Sequence, residues 1–281
     1  MNPVKIFEIN ALDDQRLDPY RDLRKTNVSR WSNWLIAEGI LVTERLFQSG
    51  WEINSVLLSD KRFDRMIGLV PKETTVYRLL HSLCSQLVGF DFHAGVMACA
   101  TRRVATIDTV VSPQRSPDKA APSLLLCCPH TVLPDNLGSI IRLAAAFGCD
   151  GLIVGPQSAD PFSRRSVRVS MGNVFQVPIL QPRDLLACLR RLRDKFGYRL
   201  LAGQQTSQAV DCRNFQLASR SILLVGNEYA GLDKKWLELC QHALEIPLVA
   251  TVDSLNVTNA VAILLYELRH QLDRMRMEIR R

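Results

Sequence analysis

The sequence predicts an α/β protein in two units, the larger built on a parallel sheet covered on both faces. Three observations lead there. Short apolar runs alternate with helix-period stretches along most of the 281 residues, the pattern of strands joined by crossover helices. The C-terminal runs are apolar throughout rather than alternating, as strands buried on both faces are. Residues 107–122, "IDTVVSPQRSPDKAAP", collect three prolines, two serines and mixed charges, and read as a linker between a unit at 1–106 and one at 123–281.

Taken in order, residues 34–37 form a strand, and after Glu38 and Gly39 a helix runs through Leu41, Arg45 and Leu46. Strands follow at 55–58, 75–77 and 96–100, with a helix over 80–87. β-branched and aromatic residues mark the strands, and the longer 3.6-period stretches mark the helices. Past the linker, strands fall at 124–128, 151–154, 200–202 and 222–225. Helices lie between them at 137–147 and 185–196, and a last helix runs from about Ser254 to about Met275. Ligands on such sheets bind beyond the carboxyl ends of the strands, so residues just after those ends are the functional candidates.

Composition bounds the partners. Hydrophobic content of 47% and charged content of 22% suit a soluble globular chain. No run of about 18 apolar residues occurs, so no transmembrane helix is expected. Met1-Asn2-Pro3-Val4-Lys5 lacks the basic and apolar regions of an export signal, and a cytoplasmic protein is expected. Eight scattered cysteines without a CxxC pair read as buried thiols in a reducing compartment. A net charge of +7, most of it after Arg115, suits an anionic partner.

Several chemistries are excluded. Gly226 to Gly231 spells G-x-x-x-x-G, but Leu232-Asp233 follows where a P-loop needs Lys-Ser/Thr. No G-x-G-x-x-G follows a strand, no His, Cys and carboxylate set has metal-ligand spacing, and no G-x-S-x-G elbow occurs. No metal is expected.

Three strand ends carry unusual polar residues. In "HTVLPDNLGSIIRLAAAFG", Pro134, Asp135 and Asn136 form a turn, and either Asp135 or Asn136 can cap the following helix. Arg142 is flanked by Ile140, Ile141, Leu143 and Ala144. It is either a solvent-facing helix residue or a cation held near apolar surroundings, which then needs a partner; an arginine reaching back could meet Asn136. In "DPFSRRSVRVSMG", Arg164, Arg165 and Arg168 form either a solvated charged face or a phosphate-binding edge. In "EIPLVATVDSLNVTNAVAILL", Ile246-Pro247 ends a strand, Ser254 caps the last helix and Asn256 sits in its first turn. The apolar residues nearly all round that helix say that it is buried, in part at a subunit interface.

Together these stretches resemble the SpoU/TrmH family of the SPOUT superfamily, S-adenosylmethionine-dependent RNA 2′-O-ribose methyltransferases. N-x-G-x-x-x-R is present as Asn136-Leu137-Gly138-Ser139-Ile140-Ile141-Arg142. G-x-E-x-x-G-L is present as Gly226-Asn227-Glu228-Tyr229-Ala230-Gly231-Leu232, and I-P followed by S-L-N-V as Ile246-Pro247 and Ser254-Leu255-Asn256-Val257. Tyr229 departs from the family's usual glycine, and Asn259 from a small apolar residue. The N-terminal part more faintly resembles an RNA-binding L30e-like domain, through Glu38-Gly39 and His93-Ala94-Gly95-Val96.

The resemblance implies a SPOUT-type α/β trefoil knot with a parallel sheet, preceded by the small L30e-like domain, in a homodimer. It implies S-adenosylmethionine held by Gly203, Leu224, Gly226, Ile246, Ser254, Leu255 and Asn256. Arg142 becomes the main catalytic residue, with Asn136 and Glu228 beside it, and Arg164, Arg165 and Arg168 become RNA phosphate contacts. An ordinary guanidinium holds its proton too tightly to act as a base, so Arg142 is assigned to the acceptor phosphate or the developing alkoxide. Ribosomal RNA stands ahead of transfer RNA as substrate. The competing class is a non-catalytic RNA-binding protein that has kept the fold.

Overall fold

Parallel strands cannot be joined by tight turns, so each return of the chain must cross a face of the sheet. The computed structural model bears this out in both halves of the chain. It describes residues 4–23, 33–111, 122–227, 229–249, 251–252 and 254–279.

The chain divides into two units, Met1–Arg103 with Asp160–Gln176, and Val104–Ala159 with Val177–Arg281. The first holds β1 (Lys5–Glu8), β2 (Trp34–Glu38), β3 (Ile53–Ser59), β4 (Thr75–Leu79) and β5 (Val96–Thr101). They form one sheet in the order β1-β4-β3-β5-β2. The pairs β1/β4 and β3/β4 are parallel, and β5 runs antiparallel to both β3 and β2. One face carries a core around Leu17, Tyr20, Leu57, Phe92 and Met97. The buried Tyr20 hydroxyl is satisfied by Ser55 Oγ at 2.8 Å.

The segment Asp160–Gln176 packs within this first unit. Arg102 reaches the buried Asp160 at 2.8 Å and lies over the Phe162 ring. Trp51 stacks edge-on against Phe175 and donates from Nε1 to the Phe175 carbonyl at 3.2 Å. Arg45 donates to the Met171 carbonyl at 2.6 Å. The expected division at 106 and 123 therefore differs from the folded units. The expected linker opens as a helix, Ile107–Val111, whose Val110 and Val111 are buried in the second unit's core. Prolines and charges further along dominated the reading of that stretch; residues 112–121 lie outside the described residues.

The second unit holds β6 (Ser123–Cys128), β7 (Gly151–Val154), β8 (Ile179–Leu180), β9 (Arg199–Gly203), β10 (Val210–Asp211), β11 (Arg220–Val225) and β12 (His242–Glu245). All pair in parallel, in the order β10-β12-β9-β11-β6-β7-β8. On one face, Leu125, Cys127, Leu200, Ala202, Ile222 and Leu224 pack with the helix Leu185–Phe196 and Trp236. The helices Pro134–Ala146 and Val257–Ile279 pack against each other, and Leu264 of the latter approaches Gly203 of β9. The parallel sheet covered on both faces matches the expectation.

Burial keeps the thiols neutral. All eight cysteines are free, seven of them buried. Loss of water around the sulfur pushes Cys84, Cys99 and Cys240 up to about 12 and Cys188 up to about 11. Raised values mean protonated thiols, so at pH 8 these four carry on the order of 0.1% thiolate or less. Iodoacetamide at pH 8 should alkylate them only after unfolding, which mass spectrometry of native and urea-treated protein will read.

One buried ion pair ties the last helix to the start of β6. The Asp150 carboxylate is fully buried, accepts the Leu124 amide at 3.0 Å, and pairs with Arg276 at 2.9 Å. Arg276 also donates to the Pro122 carbonyl. Replacing Asp150 by Ala strands a buried amide and an arginine, a loss of about 3 kcal/mol that urea denaturation of the Asp150→Ala variant should show.

Candidate active site

At the carboxyl ends of β9, β11 and β12 the chain leaves the sheet in three neighbouring segments, which enclose a cavity of about 470 Å³. Gly203, Gln204 and Gln205 line it from the end of β9. Gly226, Asn227, Tyr229 and Gly231 line it after β11, and Leu244, Glu245, Ile246 and Leu248 from β12 and its exit. Ser254, Leu255, Val257, Ala260 and Leu264 close it from the last helix and its approach.

The loop after β11 folds back on itself because a side chain has no room there. A Cβ on Gly226 would lie 2.5 Å and 2.6 Å from the carbonyl carbon and Cα of Gly231. Gly231 in turn has φ +68°, a conformation in which only glycine is free of strain. Asn227 and Gly231 form an antiparallel bridge, with backbone hydrogen bonds of 2.7 Å and 3.1 Å. Asn227 Oδ1 accepts the Tyr229 and Ala230 amides, and its Nδ2 donates to the His130 carbonyl at 3.0 Å. Gln204 Oε1 accepts the Leu232 amide at 2.5 Å, fastening the loop to the end of β9. Tyr229 itself is 81% exposed.

Chemically the cavity joins aliphatic walls to main-chain polar groups. Among the described lining residues there is no lysine or arginine, and the one carboxylate is Glu245. A cationic ligand therefore meets no competing charge. Among the described residues, no group of His, Cys, Asp and Glu has metal-holding geometry.

Of the expected cofactor residues, Gly203, Gly226, Ile246, Ser254 and Leu255 line the cavity. Leu224 does not; it is fully buried one step inside β11, facing the opposite core. Asn256 does not line it either. Its Oδ1 accepts the Thr258 amide at 2.8 Å and its carbonyl the Ala260 amide, so Asn256 caps the last helix, which starts at Val257. Ser254 is exposed and precedes that helix instead of capping it. The residues missed were Gln204, Gln205, Asn227 and Glu245, each a polar residue at or just past a strand end, which is the signal that could have found them.

Of the expected catalytic residues, Asn136 and Arg142 lie outside the cavity lining. Neither Asp135 nor Asn136 caps the helix Pro134–Ala146. Pro134 occupies its first turn, Leu133 is the cap residue, and both polar residues fall inside the helix. Six residues of helix separate Asn136 and Arg142 by about 120° around the axis, so the two stand on different faces of the helix. Arg142 is exposed, because the buried stripe of the helix is Leu137, Ile140, Ile141 and Ala144. Glu228 lies outside the described residues.

The arginine run is split. Arg164 pairs with the buried Glu38 and lies over the Phe90 ring at 4.4 Å, so its charge is engaged inside the first unit. Arg168 stays 3.8 Å from Glu38 with its side chain 58% exposed. Arg165 is exposed.

Comparison with known proteins gives four findings. The SpoU rRNA Methylase family matches residues 123–266. A protein of Mycobacterium bovis named as an uncharacterized tRNA/rRNA methyltransferase is 32% identical over 263 residues, 91% of this chain and 88% of the relative. The 23S rRNA (uridine(2479)-2′-O)-methyltransferase of Streptomyces viridochromogenes is 36% identical over 137 residues, 48% of each chain. Among solved structures, the AdoMet-bound rRNA methyltransferase from Sinorhizobium meliloti superposes with a TM-score of 0.79 at 26% identity, covering 95% of this chain and 98% of its own.

The loop geometry makes its own prediction. Gly226→Ala must push Gly231 and Leu232 away and break the Asn227–Gly231 bridge. Hydrogen exchange at the Asn227 and Gly231 amides should then quicken by about tenfold or more, while amides of β6 and β9 keep wild-type protection.

Proposed function

Because the chain belongs to the SpoU rRNA Methylase family, we propose that it is an S-adenosylmethionine-dependent RNA 2′-O-ribose methyltransferase. The observation that carries the reading is the cavity at the ends of β9, β11 and β12, with glycines at 203, 226 and 231 and no basic residue in its lining. Those features fit a sulfonium cofactor. Glycines let main-chain groups approach closely, the aliphatic side chains of Ile246, Leu255 and Leu264 suit an adenosine moiety, and no lysine or arginine opposes the positive sulfur. When bound, S-adenosylmethionine supplies an electrophilic methyl group.

The chain's own residues then have three tasks. Gly203, Gly226, Ile246, Ser254 and Leu255 hold the cofactor through main chain and aliphatic contact. Leu224 is withdrawn from direct contact, and Asn256 acts by capping the helix that shapes the pocket. Arg142, exposed and cationic, binds the acceptor phosphate or the negative charge that grows on the ribose oxygen, where a fixed donor is most effective. Asn136 orients the ribose, and Glu228 positions the arginine or the RNA backbone. Arg165 and Arg168, exposed on one short helix, are phosphate contacts; Arg164 serves by anchoring that helix to Glu38.

Further parts of the reading have narrower support. A 23S rRNA enzyme among the relatives favours ribosomal RNA ahead of transfer RNA. Exposed Ile263 and Tyr266 on the last helix, at 40% and 66%, favour a homodimer across that helix and its neighbour, which displays Arg142. Free, buried thiols favour the cytoplasm, and no described helix is long and apolar enough to cross a membrane. The trefoil knot remains an implication of family membership. The rival reading, a binder without catalysis, would gain if Tyr229 plugged the cavity, but its exposure leaves the cavity open.

The test pairs cofactor binding with turnover. Calorimetry should show saturable binding of S-adenosylmethionine, which a pure RNA binder would lack. Arg142→Ala should keep that binding and lose about 100-fold or more in methyl transfer to RNA, read as ribonuclease-resistant 2′-O-methyl dinucleotides. Near-normal transfer by this variant would remove Arg142 from its role.

A further inference from the structure

We infer that Tyr229 is an RNA-contact residue whose ring is the stacking platform for an unpaired nucleobase of the acceptor, an inference that rests on the methyltransferase reading above. Of the other large aromatic side chains of the second unit, Tyr198, Phe215 and Trp236 are 1%, 7% and 7% exposed, and Tyr266 on the last helix is 66% exposed. Tyr229 is 81% exposed. Its ring lies at the rim of the cavity and gains nothing from the core, so packing does not account for it.

The backbone beneath that ring is held. Asn227 Oδ1 accepts the Tyr229 amide at 2.9 Å, Asn227 Nδ2 donates to the His130 carbonyl, and the Asn227–Gly231 bridge closes the loop. An aromatic ring on a fastened backbone loses little freedom when it meets a flat partner. Its partner comes from solvent rather than from within the cavity. The interior is already walled by Leu244, Ile246, Leu255 and Leu264, and no other aromatic residue lines it. Methylation of a ribose hydroxyl requires the nucleotide to be brought to the cavity mouth, and a single-stranded acceptor presents its bases unstacked there. An unstacked base exposes a π-face, and protein aromatic rings are its usual replacement partner. The neighbouring exit of β12 extends the same apolar rim, with Leu248, Val249 and Val252 exposed.

The alternative partner for an exposed tyrosine is a second copy of the chain, and one experiment separates the two. Wild type, Tyr229→Phe and Tyr229→Leu are compared in transfer of tritiated methyl groups to unmodified 23S rRNA transcript and to unmodified tRNA transcripts. Calorimetry with S-adenosylmethionine and sedimentation equilibrium accompany the assay. Stacking predicts that Tyr229→Leu raises KM for the RNA by roughly tenfold, and that Tyr229→Phe stays within about twofold of wild type. Cofactor affinity and oligomeric mass stay unchanged in both. The inference is overturned if the leucine variant keeps the wild-type KM, if phenylalanine is as poor as leucine, if the loss falls on cofactor affinity, or if the mass of the oligomer drops. Absence of methyl transfer by the wild-type protein to both RNAs would sink the functional reading itself and this inference with it. That outcome differs from a working enzyme indifferent to residue 229.

Discussion

The close approach of Gly226 to Gly231 is the constraint on which the site depends. Less than 3 Å separates the place of a Cβ at 226 from the returning chain, so the loop after β11 can fold back only over a glycine. Once folded, it is fastened at two points to other strand ends. Gln204 beyond β9 takes the Leu232 amide, and Asn227 gives a hydrogen bond to His130 beyond β6. Backbone groups of three parallel strands are thereby brought to one rim. A parallel sheet provides such a rim because every strand ends on the same side. The glycines turn it from an edge into a container, and the last helix, capped by Asn256, closes the far wall.

The same economy explains why the arginine run has two fates. A short helix, Arg164–Val169, cannot hold its own shape by backbone hydrogen bonds alone. Phe162, Val167 and Phe175 are buried, and Arg164 is pinned between Glu38 and Phe90. A buried carboxylate at Glu38 needs a cation nearby, and Arg164 meets that need. Arg165 and Arg168 stand exposed on the helix so fixed, Arg168 within 3.8 Å of the same carboxylate.

Much of this was legible in the sequence, and the failures have physical causes. Strands at 124–128, 151–154 and 222–225 were found because fully buried parallel strands are apolar without alternation. Gly203 and Gly226 end such runs, the family resemblance marks them as cofactor residues, and both line the cavity. Arg142 misled because its neighbours in sequence are apolar, whereas neighbours in a helix are three and four residues away; the stripe of Leu137, Ile140, Ile141 and Ala144 leaves it outside. Asn256 and Ser254 are both competent caps, and only the Asn256–Thr258 contact decides between them. The partnership of Arg164 with Glu38, and the excursion of Asp160–Gln176 into the first unit, join residues more than a hundred positions apart. No local pattern encodes such a pairing.

Tyr229 reverses the usual argument from a departure. A bulky residue in a glycine-rich turn first reads as damage to a cofactor site. The loop, however, makes its close approaches at Gly226 and Gly231, and position 229 lies at the tip between them, where the chain faces water. A side chain there costs the container nothing. Glycine is needed where backbone meets backbone, and the intervening tip is free to carry a ring toward whatever approaches the mouth. The turn thus separates two requirements, space for a small cationic ligand below and a surface for its much larger partner above, and assigns them to residues only three positions apart.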